Sequence, residues 1–275
     1  MKEKYSNLTN QDLLKIIKLV KYTYGFDFSG YSKASLKRRF ERLLNVKQYK
    51  IEELKTKITN DSSFFDTLLK EITVNVTEMF RDPEFYKSLS KNVLPYLNSY
   101  STIRVWNAGT SSGEELYSFA ILFSENEMYK KSFFYGTDIN IKVLQDAKSG
   151  IFLLKDMLHF ANNYIKTGLK KPFSDYFTVE YNNAVIKTNL KENCLFSFHN
   201  LLSDGILNEF QLISCRNVLV YFDTELQNKV IKLFIDSLCL FGFLCLGSKE
   251  SIRSAELMSR LKIIDNKQNI FQKIR

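Results

Sequence analysis

The sequence predicts an α/β fold: a mostly parallel sheet behind a small N-terminal helical domain, interrupted by a small antiparallel β insertion. Three observations predict it. Up to about residue 90 the apolar positions recur with helical spacing. From about residue 100, short apolar strand patterns alternate with amphipathic helix patterns, the order that lays parallel strands side by side. The first of those strands runs through a glycine-bearing turn into a helix, Asn107-Ala-Gly-Thr-Ser-Ser-Gly-Glu-Glu-Leu-Tyr-Ser118, the ligand crevice of open α/β sheets.

In the helical part, Leu13, Leu14, Ile16, Ile17, Leu19 and Val20 make one apolar stripe, with Thr9 and Asp12 at capping-pair spacing. A second helix over 35–45 sets Leu36, Phe40, Leu43 and Leu44 on one side. Arg38, Arg39 and Arg42 fall on the other at 100° per residue. These arginines fit a solvated face or a docking surface about equally well. Helices over 51–58 and 63–71 complete a bundle. No Gly/Ser-rich linker follows, so the segment 72–82 is expected to be the hinge. The expected domains are 1–82 and 83–275.

The sheet part opens with a strand over 102–106 and a helix whose buried face is Leu116, Phe119, Ala120, Leu122 and Phe123. A strand over 133–137 runs straight into Asp138, and a helix over 141–148 follows. The stretch to about 172 reads as irregular and partly helical. Two β patterns, 177–181 and 184–187, flank the turn residues Asn182-Asn183 and predict the antiparallel insertion at about 176–193. Strands over 194–198 and 210–214, a helix over 224–238 and a strand over 242–246 resume the core. The tail, 262–264 and 270–274, can supply a closing antiparallel pair.

Composition narrows the function classes. With 275 residues and 45% hydrophobic, the chain can bury a substantial core in one or two domains. The polar start, Met1-Lys-Glu-Lys-Tyr-Ser, leads into no signal-peptide apolar region. The longest apolar run, 237–247, is far short of the ~20 residues that span a bilayer. The four cysteines form no C-x-x-C pair and the only histidines are His159 and His199, so no metal site or disulfide framework is expected. A cytoplasmic location follows. The net charge of +9 suits nucleic acid or an acidic protein surface and does not by itself separate them.

The crevice motif specifies a ligand class. Gly109 and Gly113 let the backbone pass close to a ligand where a Cβ would clash. Asp138, at the tip of the second strand, can accept hydrogen bonds from both hydroxyls of a ribose. No third glycine completes G-x-G-x-x-G, which argues against a dinucleotide. The expected cofactor has a ribose but no pyrophosphate.

Four stretches carry a family resemblance: Ile72-Thr-Val-Asn-Val-Thr-Glu-Met-Phe-Arg-Asp-Pro83, the Asn107 to Ser118 motif, Gly136-Thr-Asp-Ile-Asn140 and Ser214-Cys-Arg-Asn-Val-Leu-Val-Tyr-Phe-Asp223. In that order, with Asn200-Leu201 between the last two, they closely resemble the CheR family of chemotaxis-receptor methyltransferases. The resemblance runs from the basic helix near 38 to Leu246-Gly-Ser-Lys-Glu250. It implies a class I S-adenosylmethionine-dependent methyltransferase fold, Rossmann-like. The implied activity methylates glutamate carboxylates on the cytoplasmic helices of chemoreceptors and yields S-adenosylhomocysteine.

Carried over residue by residue, the resemblance puts Asn75, Thr77, Arg81, Ala108, Glu114, Asp138, Asn200, Leu201, Arg216 and Asn217 around the cofactor. It places Tyr221 near the reacting methyl; Arg81 is assigned to orienting the cofactor carboxylate or the incoming glutamate, and with an acidic receptor helix as the expected substrate Arg38, Arg39 and Arg42 are the candidate docking residues. Val74, Val76, Met79 and Leu116 depart mildly from the family pattern and remove no polar cofactor group; Gln211 stands where Asp is frequent, before the fourth core strand, and reads as peripheral. A monomer is expected, without nucleic acid or membrane insertion. Two other classes stay open: an RNA or small-molecule methyltransferase on the same fold, and a non-catalytic cofactor-sensing regulator.

Some residues also have plainer readings. Ser111 and Glu114 stand at capping-box spacing, so Glu114 could simply cap a helix. Asp138 could be a turn residue. His199 reads as a structural strand-end residue. Asp82 and Pro83 look like the N-cap and N1 of a helix, where the Arg81 cation would oppose the macrodipole, which suggests another task for it. Some relatives grip a receptor C-terminal peptide with a glycine- and arginine-bearing loop of the insertion. Residues 176–199 contain neither Gly nor Arg, so methylation without such a tether is expected.

Overall fold

A computed structural model describes residues 8–73 and 77–275. The chain divides into two compact units, one of residues up to 75 with 220–227, the other of 76–219 with 228–275.

The first unit is helical. It contains α1 (Asn10–Tyr24), α2 (Lys33–Lys47), α3 (Ile51–Asn60) and α4 (Phe64–Ile72). The Thr9/Asp12 pair forms the expected capping box, with Thr9 Oγ1 accepting from Asp12 N at 3.1 Å, and Gly25 in left-handed backbone ends α1. Buried Leu13, Ile16, Ile17 and Val20 of α1 join Leu36, Phe40, Leu43 and Leu44 of α2, and α3 and α4 add Leu54, Ile58, Leu68 and Leu69. Residues 220–227 attach to this unit through backbone. Ser32 N donates to Tyr221 O at 2.8 Å, Asp223 N donates to Gly30 O at 2.9 Å, and Tyr31 and Phe222 form an antiparallel bridge.

In the second unit, α5 (Pro83–Asn92) and α6 (Leu94–Leu97) lead into β1 (Ile103–Ala108), α7 (Glu114–Glu125), β2 (Ser132–Asp138) and α8 (Ile141–Ser149). The insertion then takes β3 (Ile151–Leu153), α9 (Leu154–Lys166), β4 (Phe177–Glu180) and β5 (Asn183–Ile186). The core continues with β6 (Cys194–Phe198), β7 (Phe210–Cys215), α10 (Thr224–Ser237), β8 (Leu238–Leu246), α11 (Ala255–Met258), β9 (Leu261–Asp265) and β10 (Ile270–Lys273). The main sheet has the order β6-β2-β1-β7-β8-β10-β9. Its first five strands run parallel and β10 runs antiparallel to both neighbours. The chain moves outward from β1 through β2 to β6, then returns to β7 on the other side of β1. The strand order therefore reverses between β1 and β7, and the carboxyl ends of β1, β2, β6 and β7 all open on that switch point. This is the class I S-adenosylmethionine-dependent methyltransferase fold, mostly parallel, with a separate antiparallel sheet.

The structure differs from the expected elements at one stretch. Residues 151–166, expected to be irregular and only partly helical, are strand β3 and the regular helix α9, so the insertion sheet has three strands in the order β3-β5-β4. Strand β3 offers only Phe152 to the core, too short a pattern to show period two. Asn162 and Asn163 weaken the helical signal of α9, yet Asn163 is buried because its amide donates to Met79 O at 3.2 Å. Gln211, read as peripheral, is 7% exposed and its Oε1 accepts from Arg104 N at 2.7 Å, tying the start of β1 to β7.

Candidate functional site

The loop after β1 is built around backbone donors. Gly109 N and Thr110 N both donate to Thr137 O, at 2.8 and 2.9 Å, which folds the loop over the end of β2. Ser111, itself in left-handed backbone, donates its N–H to Asp138 Oδ2 at 3.0 Å, while Asp138 Oδ1 accepts from Asn140 N at 2.9 Å. The plainer reading of Ser111 and Glu114 as a capping box is therefore overturned. The N-cap of α7 is Gly113, and the Ser111 N–H that Glu114 would have capped goes to Asp138. The glycines also do more local work than expected. A Cβ at Gly109 would stand 2.5 Å from Val218 Cγ2, and one at Gly113 would stand 3.0 Å from Ala147 Cβ, so both positions are closed by protein atoms as well as by their positive φ.

Two carboxylates in this loop are desolvated. Burial pushes the Asp138 carboxyl above its ordinary value, against the pull of the Asn140, Ser111 and Ile139 backbone donors. Burial likewise raises Glu114, whose partner is the Ser112 hydroxyl at 2.9 and 2.8 Å from its two oxygens. A carboxylate offers about four acceptor positions, so Asp138 retains acceptor capacity for a ligand hydroxyl beyond its backbone donors. Buried beside it, Thr110 Oγ1, Ser111 Oγ and Asn140 Nδ2 have no partner among the described residues. Orphaned polar atoms around a part-saturated carboxylate fit a ribose-bearing ligand.

A second cluster lies at the β7 end. The Arg216 guanidinium, 2% exposed, has Nη1 2.9 Å from Glu115 Oε2 and Nη2 2.7 Å from Asp82 Oδ2. It also stacks 3.9 Å from the Phe85 ring centroid and donates to Arg81 O at 3.3 Å. Glu115 Oε1 accepts from Asn107 Nδ2 at 2.9 Å and Ser214 Oγ at 2.6 Å. Burial alone would lower the Arg216 pKa, but Glu115, Tyr86 and Asp82 outweigh it and raise it. The arrangement leaves Asp82 with a second function. It is the N-cap of α5 before Pro83, as expected, but makes no side-chain cap bond, because its carboxylate faces Arg216.

The other expected residues are distributed as follows. Ala108 is buried at the end of β1. Leu201 is buried, and Asn200 closes a turn, its Oδ1 accepting from Leu202 N at 3.0 Å and its N donating to Asp204 Oδ2 at 2.8 Å. His199 N donates to Asp138 O at 3.2 Å, and the ring sits edge-on to Trp106 with Nε2 against Gly205 O, in keeping with a structural role. Asn217 follows Arg216 in left-handed backbone. Thr77 and Arg81 are half-buried, and Asn75 lies outside the described residues.

In the helical unit, Arg38 and Arg42 are exposed, but Arg39 is half-buried with its guanidinium 4.8 Å from the Tyr221 ring centroid and Nε 3.3 Å from Ser35 Oγ. Burial lowers the Arg39 pKa, against the favourable contact with Tyr221. The expected three-arginine face is thus two arginines. Arg39 lies at the edge of the α2 stripe, where residues from the distant segment 220–227 cover it.

Sequence reasoning missed Glu115, Asn107, Ser214 and Asp82. The available signal was Glu115 itself, a second carboxylate on the same helix start that one cofactor-facing residue does not explain. No group of three or more His, Cys, Asp or Glu able to hold a metal occurs among the described residues, nor any helix long and apolar enough to cross a membrane.

The chain is similar to known proteins over most of its length. Residues 75–268 match the family described as CheR methyltransferase, SAM binding domain, and residues 11–73 match its all-alpha domain. The chain is 38% identical over 268 residues to the "Putative methyltransferase Cher3" of Pseudomonas putida, covering 96% of this chain and 97% of that one. It is 30% identical over 280 residues to the chemotaxis protein methyltransferase of Borreliella burgdorferi, covering 96% of each. It is 30% identical over 214 residues to that of Listeria monocytogenes, covering 77% of this chain and 79% of the other.

Two measurements test the site. Asp138→Ala removes the proposed ribose acceptor and releases the Ser111 and Asn140 N–H groups; S-adenosylhomocysteine affinity should fall by about 1.5–3 kcal/mol, and an unchanged calorimetric Kd would remove Asp138 from the site. Glu114→Gln tests desolvation. The raised native pKa means the charged form costs folding stability above that pKa, a cost absent below the unfolded value. The variant, with the Ser112 hydroxyl still able to donate, should be more stable than the wild type at neutral pH. The difference should vanish below the ordinary glutamate pKa; a pH-independent difference in unfolding free energy would contradict it.

Proposed function

The chain belongs to the CheR methyltransferase family, and from that membership we propose that it methylates glutamate side chains on the cytoplasmic helices of chemotaxis receptors. The observation that carries this reading is the Asp138 crevice in a chain whose relatives from Borreliella burgdorferi and Listeria monocytogenes are named chemotaxis protein methyltransferases. S-adenosylmethionine, when bound, supplies an electrophilic sulfonium methyl.

The remaining work falls to the protein's own residues. Asp138 accepts the ribose hydroxyls on the acceptor positions left by Ser111 and Asn140. Glu114, a desolvated carboxylate at the start of α7, receives the amino group. Ala108, Asn200, Leu201, Asn217 and Thr77 line the crevice, and Arg81 orients a carboxylate, the cofactor's or the incoming glutamate's. Arg216 serves through its ion pairs.

A glutamate is already an anionic nucleophile at neutral pH, with a reference pKa near 4.3, so the reaction needs no histidine base. Opposite charges merge into a neutral ester and thioether. Water exclusion and alignment therefore accelerate the step more than acid–base chemistry does. A tight ion pair to the nucleophile would stabilise the ground state more than the transition state, which is why Arg81 is assigned to orientation. The family resemblance gives Tyr221 a positioning role, and within the helical unit Arg39 and Ser32 hold its ring and carbonyl. Among the described residues, the insertion's outer strands β3 and β4 offer no arginine for a terminal carboxylate, so C-terminal capture is no part of this reading.

Incubation with methyl-labelled cofactor should transfer base-labile label to receptor glutamates. Label on RNA, or on neither substrate, would replace this reading by a nucleic-acid methyltransferase or a cofactor sensor. Arg38 and Arg42, one helical turn apart and exposed, are the docking cations. Reversing both charges should raise the receptor KM several-fold and leave cofactor affinity unchanged. The wild-type KM should worsen with salt, exposed charges being screened over ~10 Å at 0.1 M. A salt-independent KM would assign them to a solvated face.

A further inference from the structure

Arg81 is bracketed by two non-glycine residues in left-handed backbone, Phe80 at φ 52° and Asp82 at φ 58°. Such conformations persist where surrounding contacts over-determine them, and they concentrate at functional sites. Contacts of this kind hold both residues. Phe80 N donates to Ser118 Oγ at 2.9 Å, and that hydroxyl is free to accept because it donates its own proton to Glu114 O at 2.7 Å. Asp82 meets Arg216 at 2.7 Å, and the second contact of the same Nη2 is the Arg81 carbonyl. Arg216 is in turn fixed by Glu115, three residues before Ser118 on α7. One helix therefore holds both sides of Arg81, through a hydroxyl on one side and, on the other, an ion-pair chain that is buried at Arg216 and exposed at Asp82.

We propose that Asp82 and Glu115 are positioning residues for Arg81, the Asp82–Arg216–Glu115 chain fixing the backbone from which the Arg81 side chain projects. The forgone cap supports this. An Asp at an N-cap ordinarily accepts from the first turn of its helix, and the Asp82 carboxylate gives up that bond for Arg216. Glu115 is equally committed: Asn107 and Ser214 occupy one oxygen and Arg216 the other. The chain links the ends of β1 and β7, the start of α7 and the 80–82 segment, so displacement of any one is transmitted to Arg81. The proposal rests on the reading that Arg81 orients a carboxylate in the crevice.

The test is a double-mutant cycle on the full chain. S-adenosylhomocysteine Kd is measured by calorimetry, and receptor turnover at saturating cofactor, for wild type, Asp82→Ala, Arg81→Ala and the double variant. If Asp82 acts through Arg81, Asp82→Ala should lose about tenfold in Kd or turnover in the wild-type background and almost nothing further with Arg81→Ala. Equal fold losses in both backgrounds would make Asp82 a simple structural staple and overturn the proposal. If Arg81→Ala itself retains wild-type Kd and turnover, the reading of Arg81 fails and the proposal falls with it. That result is distinct from an impaired Arg81→Ala with additive Asp82→Ala. Should Asp82→Ala not unfold cooperatively, Asp82→Asn, which keeps an acceptor toward Arg216, carries the same cycle. Loss of cooperative unfolding in both would assign the chain to the fold alone. Glu115→Gln should show the same lack of additivity with Arg81→Ala.

Discussion

A buried guanidinium must have its charge compensated, and Arg216 imposes that requirement on the crevice through its two terminal nitrogens, its Nε having no partner among the described residues. Its side chain is 2% exposed, between Glu115 and Asp82 and over the Phe85 ring. Burying charge is costly, and an ion pair in the interior offsets that cost only when geometry and additional hydrogen bonds are both good. Glu115 meets the condition by taking Asn107 and Ser214 as well. The result is a fixed frame made of pieces distant in sequence: strand ends 107 and 214, helix start 115, and segment 81–82 before α5. Such a network contributes specificity of arrangement more than net stability, and arrangement is what a methyl-transfer site needs.

A different balance governs Asp138. It spends two acceptor positions on the Ser111 and Asn140 amides and so ties the β1 loop to the turn after β2. Its remaining capacity, and the unpartnered hydroxyls of Thr110 and Ser111, are left where a ribose-bearing ligand would satisfy them. Desolvation raises both Asp138 and Glu114, so ligand-free folding bears an electrostatic cost at neutral pH that a hydrogen-bonding ligand would relieve.

The helical unit carries a division of labour within one arginine-rich helix. Arg38 and Arg42 stay in water, whereas Arg39 is drawn over Tyr221 and loses solvent. The backbone bonds from Ser32 to Tyr221 and from Asp223 to Gly30 hold residues 220–227 to the unit. The motif Val218-Leu-Val-Tyr-Phe-Asp223 therefore belongs in part to a unit that precedes it by well over a hundred residues in the chain.

Local pattern was enough for the helices other than α9, for the parallel strands and for the position of Asp138 at the end of β2. Amphipathic spacing, turn residues and a strand ending in a carboxylate are encoded within a few residues of one another. The Thr9/Asp12 capping box and the tail pair β9 and β10 were legible for the same reason. The motif resemblance added the family but not the geometry. Tertiary structure decided what depends on contacts between distant segments. Strand β3 is defined by its pairing with β5, because three residues show no periodicity of their own. Arg39 leaves the exposed face because residues from 220 onward cover it. Glu114 and Glu115, adjacent and chemically identical, diverge because one meets the Ser112 hydroxyl while the other meets Arg216, Asn107 and Ser214. The charge and hydrogen-bonding capacity of each side chain were written in the sequence; which partner received them depended on how the chain brought remote residues together.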